Sequence, residues 1–70
     1  MNAWDQLLDD TIAKAFFFLC ERGCTATPEA VTAIVSFAML ADLPEDQVAL
    51  REMRILVRSK DLLGASAVKA

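Results

Sequence analysis

The sequence of 70 residues contains no histidine and no tyrosine, and its only cysteines are Cys20 and Cys24. A closed zinc site needs four thiolate or imidazole ligands at set spacing, which this composition does not offer. A thiol nucleophile needs a neighbouring base that the chain lacks, and the two glycines form no phosphate-binding loop. The sequence therefore predicts a protein that is not an enzyme and that uses no metal, cofactor or small-molecule substrate.

Long apolar runs and a secretory signal are also missing. The first residues lack a basic start followed by an apolar run. The longest uncharged stretch, residues 30–41, has twelve residues, whereas a membrane-spanning helix needs about 20. Two closely spaced cysteines without a signal peptide are typical of reduced thiols. These features predict a cytoplasmic protein with no membrane segment.

Helix boundaries are marked by proline and glycine. Pro28 and Pro44 follow the pattern of first-turn prolines, and Gly23 and Gly64 follow that of residues just past a helix end. The predicted fold is all-α, with helices at about residues 3–22, 28–41 and 44–62, one helical domain over residues 1–64 and a frayed tail at 65–70.

The apolar residues of the first and third helices predict which faces form the core. The core stripe of the first helix is Trp4, Leu7, Leu8, Thr11, Ile12, Ala15, Phe18 and Leu19. The core side of the third helix is Ala49, Leu50, Met53, Leu56 and Val57, and a thinner apolar line of Val48, Ile55 and Leu62 lies beside the arginines of that helix. Both helices are therefore predicted to be amphipathic, with part of their apolar surface left outside the core.

Apolar residues make up 56% of the chain, and a chain this short buries only about 60% of its unfolded surface. The second helix is apolar over more than half of its circumference, so we expect it to be covered on two sides. A second copy of the same helix is one neighbour that fits, and the excess of apolar surface predicts a homodimer.

Charge is divided along the chain. Residues 1–46 carry two basic and eight acidic residues, whereas residues 47–70 carry five basic and two acidic ones. Arg51, Arg54 and Arg58 lie on one face of the third helix. One explanation is that Asp5, Asp9 and Asp10 of the first helix lie close to this arginine row, within the chain or across a dimer. The other is that the row binds an acidic partner.

Residues outside the core stripes are the candidates for contacts with a partner. Phe17 lies on an otherwise acidic face of the first helix, where a large aromatic side chain is typical of an interface, and Phe16 lies at the border of the core. The predicted partner-binding residues are Phe16, Phe17, Val48, Arg51, Arg54, Ile55 and Arg58.

Residues 38–48 have the small and apolar residues that a helix-turn-helix needs for packing. The segments 43–48 and 56–64 together resemble the end of a winged-helix domain. Asp42 stands where the turn usually has glycine, and no residues after Gly64 could build a wing. A recognition helix reads bases mainly from its N-terminal part, which here is acidic, at Glu45 and Asp46.

The sequence thus predicts a small protein–protein interaction module that acts as a regulator, adaptor or inhibitor, of the kind phages and plasmids use. Its expected partners are a second copy of itself and another protein. The alternative is a transcriptional regulator that binds nucleic acid through the third helix. That alternative predicts binding that weakens steeply with salt.

Overall fold

The computed structural model describes residues 3–69, with side chains described through Gly64. Its three helices are α1 (Ala3–Glu21), α2 (Pro28–Leu40) and α3 (Glu45–Lys69). None of the described residues lies in a strand. The predicted all-α fold with three helices is confirmed, and the starts of all three helices agree with the prediction to within one residue.

The end of α1 is set by Gly23, which has a φ of 72°. The amide of Cys24 donates to the carbonyl of Leu19 at 3.0 Å, and the amide of Gly23 donates to that of Cys20 at 3.1 Å. These two bonds form a Schellman motif, which satisfies carbonyls that the helix end would leave unpaired. Residues with a Cβ rarely adopt this left-handed conformation, so glycine at this position fixes where the chain leaves α1.

The start of α2 is capped as the sequence predicts. The Thr27 hydroxyl accepts a hydrogen bond from the amide of Ala30 at 3.1 Å, and Pro28 occupies the first turn. Proline suits this position because its missing N–H would have no partner inside the helix. The cap and the proline together define the first turn of α2.

The predicted end of α3 is wrong. The helix does not stop at residue 62 but continues through Gly64 to Lys69, so the predicted tail lies within the helix apart from residue 70, which is outside the described part. Glycine in a helix interior costs about 1 kcal/mol relative to alanine, which weakens a helix without ending it. Only a left-handed conformation makes glycine a stop, and among the described glycines Gly23 alone has a positive φ.

The helix α2 packs most extensively against α3 and also against α1, whereas α1 and α3 contact each other least. Among the side chains that the structure describes, seven apolar ones from all three helices are buried: Leu8, Ile12, Ala15, Val31, Val35, Leu40 and Ile55. Each helix buries one stripe at helical spacing, and α2 lies between the stripes of its two neighbours. This arrangement leaves a groove between α1 and α3.

The core side predicted for α3 is also wrong. Ile55 is completely buried, and Val48 and Leu62 pack around the core. Leu50, Met53 and Val57, predicted to be buried, are instead among the most exposed large apolar residues of the described chain. On α1, Leu7 and Phe18 are exposed too, so the buried stripe there is narrower than predicted.

The buried side of α3 lies beside the arginine row. Arg51 and Arg58 lie four residues before and three residues after Ile55, so they are its neighbours on the helix surface. Burying Ile55 therefore brings the guanidinium groups of Arg54 and Arg58 within reach of carboxylates on α1.

The buried hydroxyl of Ser59 gives a prediction for stability. Its oxygen has no hydrogen-bond partner among the described residues, and the side chain is completely buried. We expect Ser59→Ala to stabilise the protein by about 1 to 2 kcal/mol, because an unpaired buried hydroxyl is costly. Higher helix propensity accounts for about 0.5 kcal/mol of that gain. Urea denaturation followed by circular dichroism measures it.

Thr32→Val is the matched control for this experiment. The Thr32 hydroxyl is also buried, but it donates to the Pro28 carbonyl at 2.7 Å. Its removal should therefore give no gain in the free energy of unfolding. A loss of stability in Ser59→Ala would contradict the prediction, because it would mean that the hydroxyl makes a favourable contact.

Candidate protein-interaction surface

The arginine row, Arg51, Arg54 and Arg58, faces α1. Arg54 Nη2 donates to Asp5 Oδ1 at 2.8 Å. Arg58 forms a bidentate ion pair with Asp9, in which Nε donates to Oδ1 and Nη2 donates to Oδ2, both at 2.8 Å. The prediction that acidic residues of the first helix lie near the row is confirmed for Asp5 and Asp9.

The side chain of Trp4 completes this contact. The Cζ atoms of Arg51 and Arg54 lie 4.7 and 5.3 Å from the centre of its ring. A guanidinium over an aromatic face is attracted by the ring quadrupole. All three arginines are therefore engaged by α1 of the same chain, and they join the two helices that touch least.

The contact between Asp9 and Arg58 shifts the pKa of both residues. Hydrogen bonding to Arg58 lowers the pKa of Asp9 below its ordinary value of 3.8, although partial burial opposes the change. The pKa of Arg58 is raised, first by its hydrogen bond to Asp9 and further by the charges of Asp9, Asp61 and Asp5. Both shifts mean that the pair is favoured in its ionised form.

The lowered pKa of Asp9 predicts how stability depends on pH. Because its pKa in the folded state is depressed, Asp9 stabilises the fold above its ordinary pKa, and that contribution disappears as the pH falls through the lowered value. We expect Asp9→Asn to lower the melting temperature by a few degrees at neutral pH. The difference from the wild type should shrink once the pH drops below about 3.8.

Asp10→Asn is the control for this pH dependence, because it removes the same charge from the exposed side of α1. Thermal melts of both variants from pH 7 to pH 2.5 make the comparison. If both variants lost the same number of degrees in melting temperature at neutral pH, the bidentate Asp9–Arg58 pair would contribute nothing to stability beyond its effect on net charge.

The groove between α1 and α3 has a volume of about 550 Å³. Leu8 lies at its apolar floor, Met53 and Val57 line it from α3, and the two ion pairs stand along it. Four of its charged groups are thus paired as Asp5 with Arg54 and Asp9 with Arg58, whereas its apolar edge on α3 is exposed. The apolar lining of the groove, Leu8 with Met53 and Val57, is therefore continuous with the exposed apolar side chains of α3.

Three apolar side chains form the outer α3 face, which we define as Leu50, Met53 and Val57. Their exposed fractions are 71%, 68% and 59%. They are spaced at three and four residues, so they form one line along the helix. They lie on the side away from the buried Ile55, which makes α3 apolar on two opposite sides. An exposed apolar patch of this kind usually marks an interaction site.

Two of the predicted contact residues, Phe16 and Phe17, lie where the sequence suggests. Phe17 is 63% exposed, and Phe16 is half-buried at the core edge. Their rings pack edge to face with centroids 5.9 Å apart and planes at 79°. They form a second apolar surface on α1, separate from the residues that contact the arginine row.

The expectation that Ile55 lies at the surface beside the arginines is wrong, and Val48 is only partly exposed there. Ile55 is completely buried, and Val48 is half-buried against the core. The Ile55 side chain is therefore not accessible to a partner in the folded chain. The physical reason is the orientation of α3, which turns this apolar line inward.

Sequence reasoning missed Phe37, the most exposed large apolar residue in the described part, at 83%. It lies on the side of α2 away from the buried Val31 and Val35. The signal was present in the sequence, since an α2 that is apolar over most of its circumference must show one side to something outside its own chain. That side is uncovered in the single chain.

Comparison of the chain with protein-family models, with curated proteins and with solved structures gives no match. Within the described residues, no helix has the length and apolar character to cross a membrane. Among those same residues, no three acidic or cysteine side chains cluster as metal ligands would. Cys20 and Cys24 are both exposed and are not bonded to each other.

Proposed function

We propose that the protein is a non-enzymatic protein–protein interaction module that works as a homodimer, with the outer α3 face as the surface between the two copies. The observation that carries this proposal is the exposure of Leu50, Met53 and Val57 beside an apolar groove. A side chain of this size gains about 1.5 to 3 kcal/mol when it is fully buried. Burial of these three side chains between two copies would therefore contribute favourably to the free energy of association.

The role of such a dimer is that of a regulator, adaptor or inhibitor in the cytoplasm. Phe17 with Phe16 is the surface on which it binds a second kind of protein, because aromatic side chains are enriched at interface cores. The exposed thiols of Cys20 and Cys24 fit a reducing compartment. The arginine row serves to hold α1 against α3 and is not the primary contact surface.

The alternative of a nucleic-acid-binding regulator receives less support. Arg54 and Arg58 are paired with carboxylates of α1, and Arg51 lies over Trp4. The first turn of α3 carries Glu45 and Asp46, which would meet phosphates at the end where a recognition helix reads bases. Binding to DNA would require breaking contacts within the chain and placing acidic residues against the backbone.

Light scattering behind a sizing column tests the proposal, with absorbance recorded at 260 and 280 nm. The proposal expects a mass near twice the chain mass of 7.7 kDa, without nucleic acid, that falls toward the chain mass on dilution. A mass of 7.7 kDa at every concentration would overturn the proposed self-association. A peak that carries nucleic acid would favour the alternative.

A further inference from the structure

A charged residue flanks the outer α3 face at each of its two ends. Asp46 lies four residues before Leu50, and Lys60 lies three residues after Val57, so the five positions share one line along the helix. Both charged side chains are exposed. The line therefore has an apolar centre, a negative end and a positive end.

This line is symmetrical about Met53. Asp46 precedes Met53 by seven residues and Lys60 follows it by seven, which places each charge about 10 Å from the centre along the axis. A twofold axis that passes near Met53 would bring Asp46 of each copy close to Lys60 of the other. A parallel arrangement would place Asp46 against Asp46 and Lys60 against Lys60.

We infer that the outer α3 face binds the same face of a second copy in antiparallel orientation, with Asp46 of each copy paired with Lys60 of the other. This inference rests on the proposed function and adds its orientation and the residues that select it. Leu50 of one copy then lies opposite the region of Val57 in the other, and the Met53 side chains meet at the axis. Antiparallel helices also place opposite ends of their dipoles side by side.

The neighbouring charges are compatible with this orientation. Asp61 follows Lys60 and lines the groove together with Met53 and Val57, where its charge also helps to raise the pKa of Arg58 in its own chain. Arg58 is in turn held by Asp9 at 2.8 Å. At the negative end, Glu45 adds to the charge of Asp46, and both lie in the first turn of α3. Among the cations whose side chains the structure describes, Arg54 and Arg58 line the groove but are held by Asp5 and Asp9, and Lys60 lies at the C-terminal end of the line.

Charge reversal tests the orientation. The dissociation constant of the dimer is measured by sedimentation equilibrium at low ionic strength for Asp46→Lys, for Lys60→Glu and for the chain with both substitutions. Each single substitution should weaken the dimer about tenfold, because it turns two attractive pairs into two repulsive ones. The chain with both substitutions restores two attractive pairs, so its dissociation constant should return to within about threefold of the wild type.

Asp10→Lys and Lys14→Glu are matched controls, because they make the same changes of net charge on the exposed side of α1. Neither should change the dissociation constant by more than about twofold. If the chain with both substitutions on α3 dimerised no better than the single variants, the antiparallel pairing would be overturned, although the dimer itself would stand. A wild-type chain that remains monomeric at all concentrations would overturn the proposed function itself.

Discussion

Replacing Ile55 by alanine is expected to destabilise the protein by about 2 to 5 kcal/mol, the range for removing a buried isoleucine from a core. Ile55 is completely buried, and among the α3 residues up to Gly64 it is the one apolar residue in the buried core. A domain of this size has a net stability of only about 3 to 5 kcal/mol. The variant should therefore be largely unfolded at room temperature, as measured by circular dichroism and urea denaturation.

Val57→Ala is the control for this substitution. It truncates an apolar side chain two residues away that is mostly exposed. At protein concentrations where the chain is monomeric, its free energy of unfolding should change by less than about 0.5 kcal/mol. The reverse ranking, with Val57→Ala unfolded and Ile55→Ala stable, would mean that the other side of α3 forms the core.

Replacing Met53 by glutamate is expected to convert the dimer into a monomer without unfolding the chain. Met53 is 68% exposed in the single chain and lies at the centre of the outer α3 face. In the dimer, two carboxylates would be desolvated next to each other, which weakens association at least about 100-fold. Sedimentation equilibrium measures the mass, and circular dichroism verifies that the helical content is retained.

Ala13→Glu is the corresponding control, because it adds the same charge at an exposed position of α1. Its dissociation constant should match that of the wild type. If Met53→Glu still formed a dimer of wild-type strength, the outer α3 face would not be the interface. The exposed Phe37 of α2 would then be the next surface to test.

The number of helices and most of their ends could be predicted from local signals. Thr27 and Pro28 define the start of α2, and Gly23 ends α1, because each acts through bonds within a few residues. Gly64 has the same identity as Gly23 but does not end a helix. Glycine alone does not specify a left-handed φ, and among the described glycines Gly23 alone adopts one.

The orientation of α3 could not be predicted from its own periodicity. Both of its sides are apolar at helical spacing, so the pattern favours Leu50 with Met53 as readily as Val48 with Ile55. The choice depends on a second helix, since burying Ile55 also pairs Arg54 with Asp5 and Arg58 with Asp9. The division of charge along the sequence did indicate that the arginines could contact the acidic first helix. It was equally consistent with an arginine row that binds an acidic partner.

The methyl group of Met53 gives the most direct test that the outer α3 face is the interface between two copies. The protein is labelled with ¹³C at its methionine methyl groups, and spectra are recorded while it is diluted through the dimer dissociation constant. We expect the Met53 resonance to shift with dilution, whereas that of Met39, which is half-buried against the core, stays in place. A Met53 resonance that does not change while the mass falls from dimer to monomer would contradict the account.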